Sequence, residues 1–231
     1  VNIRLPFESD ANPHIEDDRL INFKYFFTRK LGFVKESHAF ALFPGGFGTM
    51  DETFELLTLI QTGKSDLHPI VLLETEGGDY WTGWQTFVED NLVANGMISP
   101  EDVNLYTITS DPVEAADEIC RFYANYQSQR YVRGILVLRL QQAPDEGQLA
   151  DLNRRYSDIL VDGEISVISP TEAELADDDA IESERLALHF DRRSFGRLRK
   201  LIDELNSYVD SPPADMHIPS PYREEAPERP W

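Results

Sequence analysis

Nine residues, Pro44-Gly45-Gly46-Phe47-Gly48-Thr49-Met50-Asp51-Glu52, stand between an apolar run, Ala39 to Phe43, and an amphipathic one, Phe54 to Ile60. A strand that feeds a glycine-rich turn opening a helix commits a chain to an α/β architecture, and it is how such proteins hold phosphate. Glycine removes side chains so that backbone N–H groups converge on an anion, and the helix N-terminus adds its positive dipole end. The run is therefore a candidate nucleotide site.

Two better-known phosphate loops do not fit. A dinucleotide-type G-x-G-x-x-G placed on Gly46 and Gly48 would need a third glycine where Asp51 stands, and a P-loop needs Gly-Lys-Ser/Thr at its end, with no lysine near Thr49. Gly63-Lys64-Ser65 has that triplet, but it follows the helix with no strand leading into it. Thr49 and Glu52 also have a purely structural explanation: Thr-x-x-Glu at a helix start is a capping box. That explanation does not reach Pro44 to Gly48, since an ordinary strand-to-helix turn needs at most one glycine. The residues alone favour a ligand-binding turn and leave a structural one open.

Short apolar runs alternate with helix-period runs through the first half of the chain, which predicts βα units around a parallel sheet. Val1 to Leu5 reads as a strand, 18–35 as a helix, Ala39 to Phe43 as a strand and Thr49 to Gln61 as a helix. Pro69 to Glu74 then reads as a buried strand, Tyr80 to Ala94 as a helix, Leu105 to Ile108 as the last strand, and Asp111-Pro112 as the start of a helix to about Tyr126. From about Gln129 the pattern changes to a strand over Tyr131 to Leu140, a helix over Asp145 to Tyr156, strands over Glu164 to Ile168 and Arg185 to Phe190, and a helix over Ser194 to Tyr208. The expected organisation is a partial Rossmann-like nucleotide-binding domain over 1–128, a small α+β domain over 129–209, and a proline-rich, disordered tail over 210–231. The chain enters its first strand without an initiator Met and reads as a fragment.

A formal net charge of -21 argues against nucleic acid or an anionic membrane surface as partner. A small phosphate needs only local positive potential, and Lys24, Arg29, Lys30 and Lys35 form a basic stretch in an otherwise acidic half. The single cysteine, Cys120, excludes an intrachain disulfide and reads as a buried, inert thiol on a helix face. No apolar run reaches the roughly 18 residues of a membrane span and the first residues lack a signal-peptide core, so the cytoplasm is the expected compartment. The five histidines, His14, His38 and His68 among them, show no metal-ligand spacing, and no metal is expected. Asp177-Asp178-Asp179 lacks the alternate ligands and glycine bend of a calcium loop and reads as solvated.

Phe27-Thr28-Arg29-Lys30, an apolar strand, then P-G-G-F-G-T-M-D-E and Gln61 closely resemble the LOG ("lonely guy") family, once widely described as lysine decarboxylases. The resemblance covers roughly Val1 to Tyr126. It implies a Rossmann-type nucleoside 5′-monophosphate phosphoribohydrolase, acting without a cofactor as a homodimer or higher homo-oligomer, that releases a free base and ribose 5-phosphate. By the same resemblance Glu52 acts on the ribose and water and Arg29 is the catalytic arginine. Gly45, Gly46, Gly48 and Thr49 hold the 5′-phosphate, and Lys30, Phe47, Met50, Asp51 and Thr58 belong to the pocket. Glu8 and Asn12 could contact base or ribose, or simply form turns.

This assignment suits the chemistry of an N-glycosidic bond, whose cleavage passes through an oxocarbenium-like state and calls for negative charge near the ribose, an activated water and a grip on the phosphate. Without the resemblance, Arg29-Lys30 would read as a solvated helix end, where cations are favoured near a C-terminus. A pyridoxal-phosphate decarboxylase would need a Schiff-base lysine, and only Lys24 and Lys30 stand near the motif, neither marked as desolvated. A rival from another class is a carrier resembling the molybdenum cofactor carriers, which would hold a nucleotide without hydrolysing it. Such a protein has no need of both Glu52 and Arg29.

Overall fold

A computed structural model of the chain describes residues 2–3, 20–177 and 180–209. The expectations placed on Glu8, Asn12 and His14, on Asp178 and Asp179, and on the tail from residue 210 lie outside these residues. The chain divides into two compact units, 1–38 and Ala39 onward.

In the first unit β1 (Asn2–Ile3) runs parallel to β2 (Asn22–Phe23), pairing Asn2 with Asn22 and Ile3 with Phe23. Helix α1 (Phe26–Glu36) follows. The sequence predicted this helix from residue 18. It starts at Phe26 because Asn22-Phe23 is committed to the strand ladder and Tyr25 is still extended, at φ -118° and ψ 138°.

The second unit begins with βα alternation as expected: β3 (Phe40–Leu42), α2 (Phe47–Gln61), β4 (Ile70–Leu73), α3 (Tyr80–Phe87), β5 (Thr107–Thr109) and α4 (Pro112–Phe122). The strands form a parallel sheet in the order β3-β4-β5. All four residues of β4 are buried, as a central strand covered on both faces requires. Ala115 of α4 packs with Val71 and Leu73, and Ile119 joins them. This is a Rossmann-like α/β arrangement, a parallel sheet flanked by helices.

Helix α2 buries Thr53, Leu56 and Ile60, one stripe at helical spacing. It stops in a Schellman arrangement: Gly63 takes φ +65°, its N–H donates to the Ile60 carbonyl at 3.0 Å, and the Lys64 N–H donates to Leu59 at 2.8 Å. Past Phe87, α3 widens into a π-helical turn over Val88–Val93, so the helix predicted to Ala94 is only half α-helical. A 3₁₀ turn, Pro100–Leu105, is fastened by the Ser99 N–H donating to the Asp102 carboxylate at 2.9 Å and by Gln61 Nε2 donating to the same carboxylate at 2.5 Å. Asp111 caps α4, accepting from the Val113 N–H at 2.8 Å.

The second half departs more from expectation. The strand predicted over Tyr131 to Leu140 is a hairpin, β6 (Tyr126–Val132) and β7 (Ile135–Leu140), turned by Arg133 at φ 50° and Gly134 at φ 95°. Two central residues with positive φ are what a two-residue hairpin loop demands. With β8 (Ser166–Val167) and β9 (Glu184–Leu188) it makes an antiparallel sheet in the order β6-β7-β9-β8. Helices α5 (Glu146–Tyr156), α6 (Glu172–Asp177) and α7 (Phe195–Asn206) complete it, so the order is ββαβαβα rather than βαββα. Cys120, predicted to be buried, is exposed on α4. The helix turns Ala115 and Phe122 inward instead.

The side chain of Asn206, 3% exposed, ties α7 to the end of α4 and the start of β6. It accepts from the N–H groups of Asn125 at 3.0 Å and Tyr126 at 2.8 Å and donates to the Phe122 carbonyl at 2.6 Å. At the other end of α7, a Cβ on Gly196 would run into the Glu101 carbonyl, so glycine lets the helix start flush against the 3₁₀ turn. Inside the antiparallel half, Glu174 is fully buried between Arg139 and Arg185. Arg139 reaches one carboxylate oxygen at 3.0 Å, and Arg185 Nε reaches the other at 3.2 Å. The Thr171 N–H and hydroxyl add bonds of 3.0 and 2.9 Å to the oxygen that Arg185 holds.

Candidate functional site

The glycine turn leaves the carboxyl end of β3, the side of a parallel sheet on which ligands sit in open α/β folds. Gly46 is the N-cap of α2, extended at φ -88° and ψ -157°, and the helix starts at Phe47. The N–H groups of Phe47, Gly48 and Thr49 therefore precede the first possible intrahelical bond, which is Met50 N–H to the Gly46 carbonyl at 3.3 Å. Three amides and the dipole of a 15-residue helix make a local positive centre for an anion.

Because the helix begins two residues before Thr49, the capping-box account of Thr49 and Glu52 does not hold. Thr49 is the third helical residue, and its carbonyl accepts from the Thr53 hydroxyl at 2.7 Å. Glu52 lies one turn further on, half-buried beside the inward stripe. Asp51 is exposed and Met50 half-buried, while the Phe47 ring is 97% exposed and packs on nothing in this unit.

The glycines have different reasons to be glycine. None of Gly45, Gly46 and Gly48 has a positive φ, so conformation does not require them. Gly45 lies against the Thr49 side chain, whose hydroxyl and Cβ fill the place of a Cβ. At Gly46 and Gly48 an added Cβ would meet no atom within 4 Å. Gly48 is moreover inside a helix, where glycine costs about 0.5–1 kcal/mol relative to alanine. Neither backbone nor packing explains it, and room for a ligand does. Gly48→Ala is expected to raise stability by about 0.5 kcal/mol in urea denaturation while abolishing phosphate binding in titration calorimetry.

Two residues that no motif singled out brace the turn. The Tyr80 hydroxyl, from the first residue of α3, donates to the Gly45 carbonyl at 2.7 Å. Glu74, at the carboxyl end of β4, accepts from the Trp81 N–H at 2.6 Å and the Thr75 N–H at 3.0 Å, and so fixes the start of α3 and with it Tyr80. Their only signal was position after a buried strand. Tyr80→Phe removes one neutral hydrogen bond, and nucleotide binding is expected to weaken by about 0.5–1.5 kcal/mol, read as a severalfold higher Kd with the fold unchanged by circular dichroism.

Gly45 to Glu52 thus form one contiguous site. Thr58 is set apart from it, nine residues along α2 from Thr49 and so roughly 13 Å further down the axis. It borders a separate apolar cavity of about 80 Å³ with Phe54, Leu57, Trp84 and Tyr106. Arg29 and Lys30 are adjacent on α1 of the first unit, as its fourth and fifth residues. That is the N-terminal half of the helix, where the dipole disfavours cations, so the solvated C-terminal end proposed for this pair does not apply. The Arg29 guanidinium lies over the Phe33 ring at 4.8 Å, and the Arg29 backbone N–H donates to the Tyr25 carbonyl at 3.3 Å. Among the described residues no cluster of three His, Cys, Asp or Glu could hold a metal ion, and no helix is long and apolar enough to cross a membrane.

Sheet, turn and flanking helices together define a protein of the Rossmann-like α/β class. The family described as "possible lysine decarboxylase" matches residues 3–119. Cytokinin riboside 5′-monophosphate phosphoribohydrolases LOG1 and LOG3 of Arabidopsis thaliana are 42% and 40% identical over 72 residues, 31% of this chain and 32% of each of theirs. A probable enzyme of the same name from Oryza sativa subsp. japonica, LOGL3, is 33% identical over 93 residues, 39% of this chain and 41% of its own. The chain belongs to the LOG family. Its matches span about a third to two fifths of the length of these relatives.

Proposed function

We propose that the protein hydrolyses the N-glycosidic bond of a nucleoside 5′-monophosphate, a cytokinin riboside monophosphate or an AMP-like nucleotide, to free base and ribose 5-phosphate. The observation that carries this reading is the pair Gly46 and Gly48, glycines without a conformational or packing reason at a helix N-terminus. The first-turn amides of α2 and the Thr49 hydroxyl bind the 5′-phosphate. That anchor delivers the ribose to Glu52, one helical turn on, whose carboxylate offsets positive charge developing at C1′ and takes a proton from the attacking water. Water adds to C1′ as the C1′–N bond breaks, and the base leaves with the bonding pair and a proton. Arg29 orients the nucleotide and supports the departing group through its fixed planar donors, with Lys30 beside it. Residues 1–128 form the nucleotide-binding part and 129–209 an added α+β part, and the protein works as a homo-oligomer.

The test is incubation of the protein with AMP, cytokinin riboside monophosphates and pyrimidine monophosphates, following free base by chromatography. Release of base with stoichiometric ribose 5-phosphate is the expected result. Nucleotide binding without release would identify a carrier instead.

A further inference from the structure

A second cavity, of about 310 Å³, lies in the unit that begins at Ala39. Its walls come from the residues around the start of β5, the last turn of α4 and one face of α7, with Thr107, Glu118, Arg121, Arg199, Lys200 and Asp203 as its charged and polar lining. Thr107 opens β5, whereas the glycine turn follows the end of β3, and the strands are parallel. The cavity and the turn are therefore at opposite ends of the sheet. The family match stops at residue 119, so it includes the lining from Val103 to Glu118 but not the face of α7 that closes the cavity.

The charges in this cavity are ordered. Arg199, 3% exposed, donates from Nη2 to Glu118 at 2.6 Å and from Nε to Asp203 at 2.8 Å, and stacks over the Phe122 ring at 4.8 Å. Glu118 also receives Arg121 Nη1 at 3.2 Å and the Thr107 hydroxyl at 3.4 Å. Both carboxylates are thus occupied by buried or bridging donors. The exposed Lys200 ammonium has no ion pair among the described residues, and Arg121, with a side chain 65% exposed, keeps donors to spare. Three cations face two anions, a local positive excess in a chain whose formal net charge is -21. In so acidic a protein a small anion is repelled from most of the surface and collects where the sign reverses. The volume is at the lower end of the roughly 300–1,000 Å³ of small-molecule pockets, enough for a sugar but not for a dinucleotide.

We propose that this cavity binds a small phosphate monoester of sugar size, with the phosphate on Lys200 and Arg121 and the sugar hydroxyls on Asn104 and Thr107. Such a ligand sits too far from the glycine turn to be the substrate under attack, so the site is a second one, for an effector. It reaches the first through α7, whose Phe195 ring packs against Gly63 at the end of α2, and through Asp102, held by Gln61 of the same helix.

The test is calorimetric titration of the whole chain with ribose 5-phosphate in a Gly48→Glu background, where a carboxylate fills the open side of the turn and removes that site. Binding of one equivalent is expected to persist, to be at least tenfold tighter than that of inorganic phosphate, and to fall at least tenfold on adding Arg121→Glu and Lys200→Glu. Both of these side chains are exposed, so the melting temperature reports that the fold is intact. Arg121→Ala with Lys200→Ala should lower affinity in the same direction by a smaller factor. Loss of all binding with Gly48→Glu alone, equal affinity for inorganic phosphate, or binding indifferent to charge reversal would each overturn the proposal.

Discussion

A Glu52→Gln protein is expected to bind AMP or a cytokinin riboside monophosphate as tightly as the parent and to release base about 10²–10⁴-fold more slowly. Glutamine keeps the shape and polarity of the side chain and removes only its charge and basicity. The proposed phosphate grip resides in backbone amides of Phe47, Gly48 and Thr49 at the start of α2, which the substitution does not touch. Because Thr49 is inside the helix and not its cap, Glu52 has no capping bond to lose, and the melting temperature is expected to stay within a few degrees. Single-turnover base release, calorimetric Kd and thermal melting separate the possibilities. A matched loss of fold and activity would return Glu52 to a structural role, and undiminished turnover would remove it from the reaction.

Glu174→Gln is expected to cost about 3–5 kcal/mol, the largest stability effect in the chain, because it removes the fully buried carboxylate charge that pairs with both Arg139 and Arg185 in the interior. The same cluster sets an acid response. Burial by itself would raise the Glu174 carboxyl, but the Thr171 N–H and hydroxyl, the Arg139 bond and the Arg185 charge outweigh it and bring the pKa from an ordinary 4.5 down to about 2. A carboxylate held below its unfolded value stabilises the fold fully above about pH 4.5. That contribution, about 3 kcal/mol, drains away as pH falls toward 2. Urea midpoints measured between pH 7 and pH 3 are expected to fall for the parent and to fall less for Glu174→Gln. A parallel decline in both would place the acid-labile group elsewhere.

The glycine turn was legible because its information is local: strand, glycines and helix are consecutive, and each residue restricts its neighbours. The parallel sheet was legible for the same reason, since Ile70 to Leu73 is apolar throughout and lies between helix-period runs. The capping box was misread because Thr-x-x-Glu carries a helix-start signal wherever it falls, and the helix had already begun at Phe47 with Gly46 as its N-cap. The hairpin at Arg133-Gly134 was missed because arginine is an unusual residue at positive φ, and the turn lacked the Asn-Gly or Asp-Gly pair that announces such a bend. Cys120 was placed inward with its apolar neighbours, but the face that packs runs through Ala115, Ile119 and Phe122 and leaves position 120 off it. Tyr80 and Glu74 were beyond reach, since their partnership with the turn joins residues 35 positions apart through a neighbouring strand.

Gly48 has a bearing on how such a protein changes over generations. A one-carbon replacement there is expected to make the molecule sturdier and to silence it, so drift in a lineage released from its task would run downhill toward alanine. Among sequences that share this bend, the residue at this single position therefore sorts chains still under pressure to hold a nucleotide from those that merely inherited the shape.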